Sequence, residues 1–337
     1  MAGLRIIFMG TAELSCASLE ALLHSAACEV VAVVTQPDRP KGRELKLQSS
    51  PVKEIAARGG LPVLQPEKAR DEKFIGELRR LQPDMIAVAA YGQILPPGIL
   101  DLPRFGCVNV HTSLLPKYRG ASPIQSAILN GDAETGVTIM KMDAGMDTGA
   151  ILAQEKTPIH PGDNGQTLHD RLAQMGAQLL VRTIPDFAAG KIQPRPQPAD
   201  GVSHAPKIRK EDGRIDWTQP ARAIWNRVRA FTPWPGAFTH LPSPREISQR
   251  TDSTREIIQP ISRGKQPQPH LLKIWQAEPI EEAGAPGEIL RADKNGIVVG
   301  CGGGALRILT MQREGGRRLS APEFLAGHPL RPGIKLV

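Results

Sequence analysis

Apolar and polar positions alternate along the first 190 residues in a rhythm that predicts strands and helices in turn. Leu4–Met9 is a short, mostly apolar run closed by Gly10. Leu14, Leu19, Leu22 and Leu23 then recur at helical spacing. Val30–Val34, Met85–Ala90 and Cys107–Val110 are further apolar, partly β-branched runs. Val137–Lys141 and Ala150–Gln154 read as two more strands, and Gly165–Phe187 as one long helix stopped by Gly190. Mostly apolar strands separated by helices are what a parallel sheet covered on both faces requires. The expected first domain, residues 1–189, is therefore α/β: a doubly wound, mostly parallel, Rossmann-like sheet.

The pattern then changes. Pro194, Pro196, Pro198 and Pro206 follow in close order. Alternating prolines favour an extended backbone with no core of its own, so 190–206 reads as a linker. Beyond it, Ala221–Phe231 has the spacing of a helix. Leu271–Trp275, Gly287–Ala292, Gly296–Val299 and Leu306–Met311 are short strand-like runs, several of them separated by glycine. These predict a smaller β-barrel, OB-like, within 207–337. Residues 242–270 are rich in Pro, Ser and Arg and read as a long loop inserted between two barrel strands.

A length of 337 residues suits two domains. Hydrophobic residues make up 40% and charged residues 23%, which excludes a disordered chain. No run approaches the roughly 18 apolar residues of a membrane span, so no membrane partner is expected. The opening stretch has Arg5 inside a short apolar run and lacks the longer apolar region of a secretion signal, so it reads as a first strand. Cys16, Cys28, Cys107 and Cys301 have no CxxC spacing, which argues against a zinc site or a disulfide scaffold and makes a reducing, cytoplasmic setting the simplest. The net charge of +8 is lopsided. Residues 1–190 carry 19 Lys and Arg against 20 Asp and Glu, whereas 191–337 carry 23 against 14. A basic module behind a neutral one suggests a polyanionic partner, most simply nucleic acid, or else a basic surface that only aids solubility.

Candidate chemistry gathers at the strand ends. Gly10-Thr11-Ala12 follows the first strand but offers one glycine and no GxGxxG, so dinucleotide binding is not expected. In Cys107-Val108-Asn109-Val110-His111, side chains two apart share a face, which aims Asn109 and His111 at the crevice beyond the strand ends. An amide and an imidazole converging there can stabilise an oxyanion, or can simply tie down a strand end. Asp147 lies in a second, glycine-containing loop. It could orient His111 and support its protonated form, or serve as a turn residue.

Ser113-Leu114-Leu115-Pro116, followed by Tyr118, Gly120, Pro123, Gly131, Thr135-Gly136 and Asp147-Thr148-Gly149, resembles the signature of the folate-dependent formyltransferases. The stretches Thr35–Arg43, Ser50–Lys53, Val88–Pro96 and Arg229–Gly236 are similar to those of the family members that act on methionyl-tRNA, so the resemblance covers nearly the whole chain. It implies transfer of a formyl group from 10-formyltetrahydrofolate to the α-amine of methionine on initiator tRNA, for translation initiation. It further implies catalytic roles for Asn109, His111 and Asp147. The folate site would comprise Ser113, Leu114, Leu115, Pro116, Tyr91 and Gly92. Arg43 and Lys207 would contact the tRNA. No metal is called for, and nothing demands more than a monomer.

The chain departs from the family at Gly10–Leu14, which lacks a proline-aspartate-phenylalanine often found there. Three other readings remain open at this level. The same reactive residues would serve a formyltransferase acting on a purine-pathway or sugar-nucleotide amine. A hydrolase could use Ser113, His111 and Asp147, although no Gly-x-Ser-x-Gly elbow surrounds Ser113. A non-catalytic RNA-binding protein could also keep this fold.

Overall fold

The structure is a computed structural model that describes residues 3–41, 46–242 and 270–337. The chain divides into two compact units. The first comprises Met1–Ala127, Asp132–Pro161 and Thr167–Lys207, and the second Ile128–Gly131, Gly162–Gln166 and Ile208–Val337.

The first unit opens with β1 (Leu4–Gly10), α1 (Cys16–Leu23) and β2 (Cys28–Val34). A short hairpin follows, β3 (Arg39–Lys41) and β4 (Lys46–Gln48), then α2 (Pro51–Arg58), β5 (Val63–Leu64) and α3 (Glu72–Arg80). Next come β6 (Met85–Ala89), α4 (Pro97–Leu100), β7 (Cys107–His111), β8 (Arg119–Gly120) and α5 (Pro123–Leu129). The remainder is β9 (Glu134–Lys141), β10 (Ile151–Pro158), the long α6 (Gly165–Ala188) and β11 (His204–Ala205).

Seven strands form one sheet in the order β10-β9-β7-β6-β1-β2-β5. All pairs from β7 to β5 are parallel, while β9 and β10 run antiparallel at one edge. The central strands are apolar on both faces because both faces are covered: all of β6, Met85–Ala89, is buried. Local capping starts the helices where the apolar spacing begins. The Ser50 hydroxyl accepts from the Lys53 amide (3.1 Å), and Asp71 accepts from the Lys73 amide (2.8 Å). The strand order reverses between β1 and β6, which leaves a crevice beyond their carboxyl ends.

Residues 190–206, expected as a linker, are extended but bonded along the first unit. Arg195 and Ile151 exchange two backbone hydrogen bonds (2.8 and 2.9 Å), and β11 pairs in parallel with β8. Proline spacing sets an extended backbone. It carries no information about which edge that backbone joins.

The second unit holds α7 (Ala221–Ala230), β12 (Ala237–Leu241), β13 (His270–Ile280), β14 (Ile289–Asp293), β15 (Gly296–Gly300), β16 (Ala305–Arg313), β17 (Leu319–Ser320) and α8 (Ala321–Gly327). Its antiparallel sheet runs β12-β13-β16-β15-β14, with β17 on β16. Residues 333–337 join the two edges. Val337 bonds to His240 of β12 in both directions (2.7 and 3.1 Å), while Ile334 accepts from Ile289 and Leu336 donates to Gly287 (both 2.8 Å). The sheet so closed packs Ile274, Ile289, Ile297, Val299, Ile308 and Met311 inside, against Ile224 and Val228 of α7. Of the stretch expected as an inserted loop, residues 243–269 lie outside the described residues.

Candidate active site

The crevice of the first unit is a cleft of about 560 Å³ lined by residues from the ends of β1, β6 and β7 and from the loop 142–150. Asn109 and His111 both face it. The carboxamide of Asn109 makes no hydrogen bond with any described residue, which leaves its NH2 available to a ligand in the cleft.

His111 is only 5% exposed. Its Nε2 lies 2.9 Å from the Tyr118 carbonyl. A carbonyl can only accept, so Nε2 carries the hydrogen and Nδ1 is left as the basic nitrogen. Nδ1 lies 3.7 Å from Asp147 Oδ2. Burial pushes the pKa of His111 below its ordinary value of 6.5, while the Asp147 carboxylate and the Tyr118 carbonyl pull the other way. The imidazole is therefore neutral near pH 7. Asp147 stands ready to stabilise a proton that arrives at Nδ1.

Asp147 reaches this position because the loop between β9 and β10 folds back along β7. Lys141, at the end of β9, pairs with Val108, yet Asp147 meets His111 at the far end of β7. Asp147 has a φ of +53°, in the left-handed region that non-glycine residues seldom occupy. The Gly120 amide donates to its Oδ2 (2.8 Å), and Gln197 Nε2 donates to its backbone carbonyl (2.8 Å).

Ser113, Leu114, Leu115 and Pro116 do not line the cleft. The Ser113 hydroxyl donates to the Lys117 carbonyl (2.6 Å). The Leu115 amide donates to Thr138 Oγ1 (3.1 Å), which in turn donates to the Ser113 carbonyl (2.7 Å). Gln154 donates to Leu115 O and to Thr138 Oγ1 (both 2.9 Å). This loop is pinned to the sheet at the end of the strand that carries His111. Its hydroxyl is thereby occupied and is not presented to the cleft as a nucleophile.

Tyr91 and Gly92 do line the cleft. The Tyr91 carbonyl accepts from Thr11 Oγ1 (3.1 Å) and Gln36 Nε2 (2.9 Å), which fixes this rim. The Tyr91 phenol is buried without a partner, and burial raises its pKa to about 12, so it stays a hydrogen-bond donor. Lys207 is exposed and lies off the cleft, two residues beyond β11. Arg43 lies outside the described residues. Among the described residues no group of three or more His, Cys, Asp or Glu could hold a metal ion, and no helix is long and apolar enough to cross a membrane.

Sequence reasoning missed Thr138, Gln154, Gln197 and Ser203. Each acts across a long chain separation, and polar residues of this kind carry no positional signal of their own.

A doubly wound sheet without a dinucleotide fingerprint thus presents an amide, an imidazole and a carboxylate to one cleft. The chain belongs to the formyl transferase family: residues 4–184 match "Formyl transferase" and residues 207–329 match "Formyl transferase, C-terminal domain". Its end-to-end relatives carry a more particular name. A protein of Geobacter sulfurreducens, 47% identical over all of this chain and 98% of its own length, is a methionyl-tRNA formyltransferase. So is one of Myxococcus xanthus, 46% identical over 98% of this chain and 96% of its own. Solved structures share the fold. WlaRD, a sugar 3N-formyl transferase, superposes with a TM-score of 0.59 at 19% identity, covering 90% of this chain and 96% of its own. HypX from Aquifex aeolicus, solved with tetrahydrofolic acid, gives 0.57 at 17% identity over 96% of this chain and 47% of its own.

Proposed function

We propose that the protein transfers the formyl group of 10-formyltetrahydrofolate to the α-amine of methionyl initiator tRNA, yielding N-formylmethionyl-tRNA. The observation that carries this reading is the placement of Asn109, His111 and Asp147 together on one cleft, in a chain whose end-to-end relatives bear that name. The free α-amine, with a pKa of roughly 7.7–8.0, is the nucleophile once neutral. It adds to the formyl carbon and forms a tetrahedral oxyanion. The Asn109 NH2 donates to that oxygen. His111 Nδ1 takes the proton that the amine must lose, and the resulting imidazolium is stabilised by Asp147 and by the Tyr118 carbonyl. The same proton then passes to N10 of the folate as the C–N10 bond breaks.

Tyr91 and Gly92 supply a wall of the folate site in this reading. Ser113–Pro116 contribute by fixing the strand end beneath it. Lys207 and Arg43, with the basic second unit, hold tRNA phosphates electrostatically. The site works in a cytoplasmic setting without a metal.

The test incubates purified protein with charged initiator tRNA, charged elongator tRNA or free methionine, with and without formyltetrahydrofolate. Mass analysis of the released methionine is expected to show the formyl adduct from initiator tRNA only when the donor is present. No adduct on either tRNA, alongside formylation of a sugar-nucleotide amine, would overturn the assignment in favour of a small-molecule acceptor.

A further inference from the structure

The extended stretch that follows α6 carries one polar side chain whose every hydrogen-bonding group is engaged at the edge of the active cleft. Gln197 Nε2 donates to the Asp147 carbonyl and to the Gly149 carbonyl, both at 2.8 Å. Its Oε1 accepts from Arg119 Nε (3.1 Å) and Nη2 (2.8 Å). One carboxamide thus joins the loop that bears Asp147 to β8, which begins one residue after the Tyr118 carbonyl that holds His111. Its own backbone is fixed on both sides, at Arg195 by Ile151 and at His204–Ala205 by β8.

We propose that Gln197 is a positioning residue for the reaction, setting the Asp147 carboxylate against His111 by holding the backbone of the loop 142–150. The inference rests on the reading of His111 and Asp147 given above. The loop needs an external hold. It contains Gly145 and Gly149, and its internal side-chain bonds include the two that Asp143 Oδ1 accepts, from the Gly145 amide (3.1 Å) and from the Thr148 hydroxyl (2.6 Å). Asp147 sits in a left-handed conformation, which persists only when its surroundings enforce it. The carbonyls of Asp147 and Gly149, two residues apart, share one NH2 donor and give that enforcement, because both must face the same point. The same stretch also secures the His111 side: Ser203 Oγ accepts from the Tyr118 amide (2.9 Å), next to the carbonyl that binds Nε2.

The charged and titratable groups that line the cleft with His111 come from three elements: Asp147 and Asp143 from the loop 142–150, His169 from α6, and Tyr91 from the segment after β6. Of these only Asp147 is within ion-pair distance. Displacing it removes the main charge that favours the imidazolium, so the midpoint of His111 moves to lower pH.

The experiment compares wild type, Gln197→Ala and Gln197→Glu as full chains. NMR titration of the His111 imidazole, assigned against His111→Asn, is read without substrate. Gln197→Ala is expected to lower that midpoint, to cut kcat about tenfold or more, and to change KM for either substrate by less than about threefold. Gln197→Glu keeps the acceptor for Arg119 but sets an oxygen against the two carbonyls, so it is expected to behave like Ala. In an Asp147→Asn background, Gln197→Ala is expected to add less than about twofold to the loss in kcat. An unchanged His111 midpoint with wild-type kcat in either single variant overturns the inference, as does full additivity with Asp147→Asn. If Gln197→Ala does not fold, Gln197→Glu carries the same decision. A wild-type protein that formylates no tRNA overturns the function proposed above, while the substrate-free His111 titration still tests the positioning role.

Discussion

Asn109 and His111 stand two positions apart on a buried strand, one with a free amide and the other with a basic nitrogen turned toward a carboxylate. In the proposed mechanism each group has a distinct part of the chemistry. Asn109→Ala should lower kcat by about a hundredfold or more, the usual cost of an oxyanion donor, with the fold retained by circular dichroism. Depression of the His111 pKa has two consequences of the same sign. Activity that needs a neutral imidazole should persist below pH 6.5 and fall only as pH passes through the lowered value. Stability follows, because an unfolded imidazole titrates near 6.5 while the folded one resists protonation. Below about pH 6.5 the unfolded chain binds more protons, so the free energy of unfolding should decline as pH falls. That decline should shrink in His111→Asn, as measured by urea denaturation across pH. At this scale the strand-end pair was legible in the sequence, because period-two alternation alone puts both residues on one face. The reach of Asp147 was not, since it depends on a loop conformation with positive φ that no spacing reveals. Gln197 was hidden altogether within a stretch whose prolines spoke only of extension.

Among the elements, the apolar runs at Leu4–Met9, Val30–Val34, Met85–Ala90 and Cys107–Val110 became strands because a sheet covered on both faces admits little else. Strand direction at the edge was less legible. Nothing in Val137–Lys141 or Ala150–Gln154 states that β9 and β10 turn antiparallel; the glycine-containing loop between them allows it. Gly149 shows how tight that return is. A Cβ placed there would lie 1.9 Å from the Lys141 carbonyl oxygen, a backbone atom with little freedom to yield. Gly149→Ala should therefore displace the loop 142–150 and lower both kcat and the melting temperature, as measured by the formylation assay and calorimetry. Thr138 is the other element-level tie. It is fully buried, and Thr138→Val would leave the Leu115 amide without its acceptor and the Ser113 carbonyl without its donor. The expected loss is about 1–3 kcal/mol in denaturant unfolding.

At the scale of the whole molecule, the charge asymmetry is the property that composition alone made visible. The excess of 23 Lys and Arg over 14 Asp and Glu lies in residues 191–337, most of which form the second unit. On the reading that this half docks tRNA, binding releases counterions, so affinity should fall steeply between about 50 and 200 mM salt in a filter-binding or fluorescence titration. A flat response would remove the basic half from tRNA docking. The barrel's strands were legible from glycine-separated runs, but its closure was not: four or five residues near position 337 are too few to announce a strand. Those residues also set an order of events. As the chain leaves the ribosome, everything from Ala237 to Gly327 can emerge while the two sheet edges still lack the segment that joins them. Open edges invite pairing with other chains. The first unit can reach its final pairing once Ala205 has been made, whereas the edges of the second stay open until residues 333–337 have been made, so a chain cut before Gly333 would offer both of them to other chains.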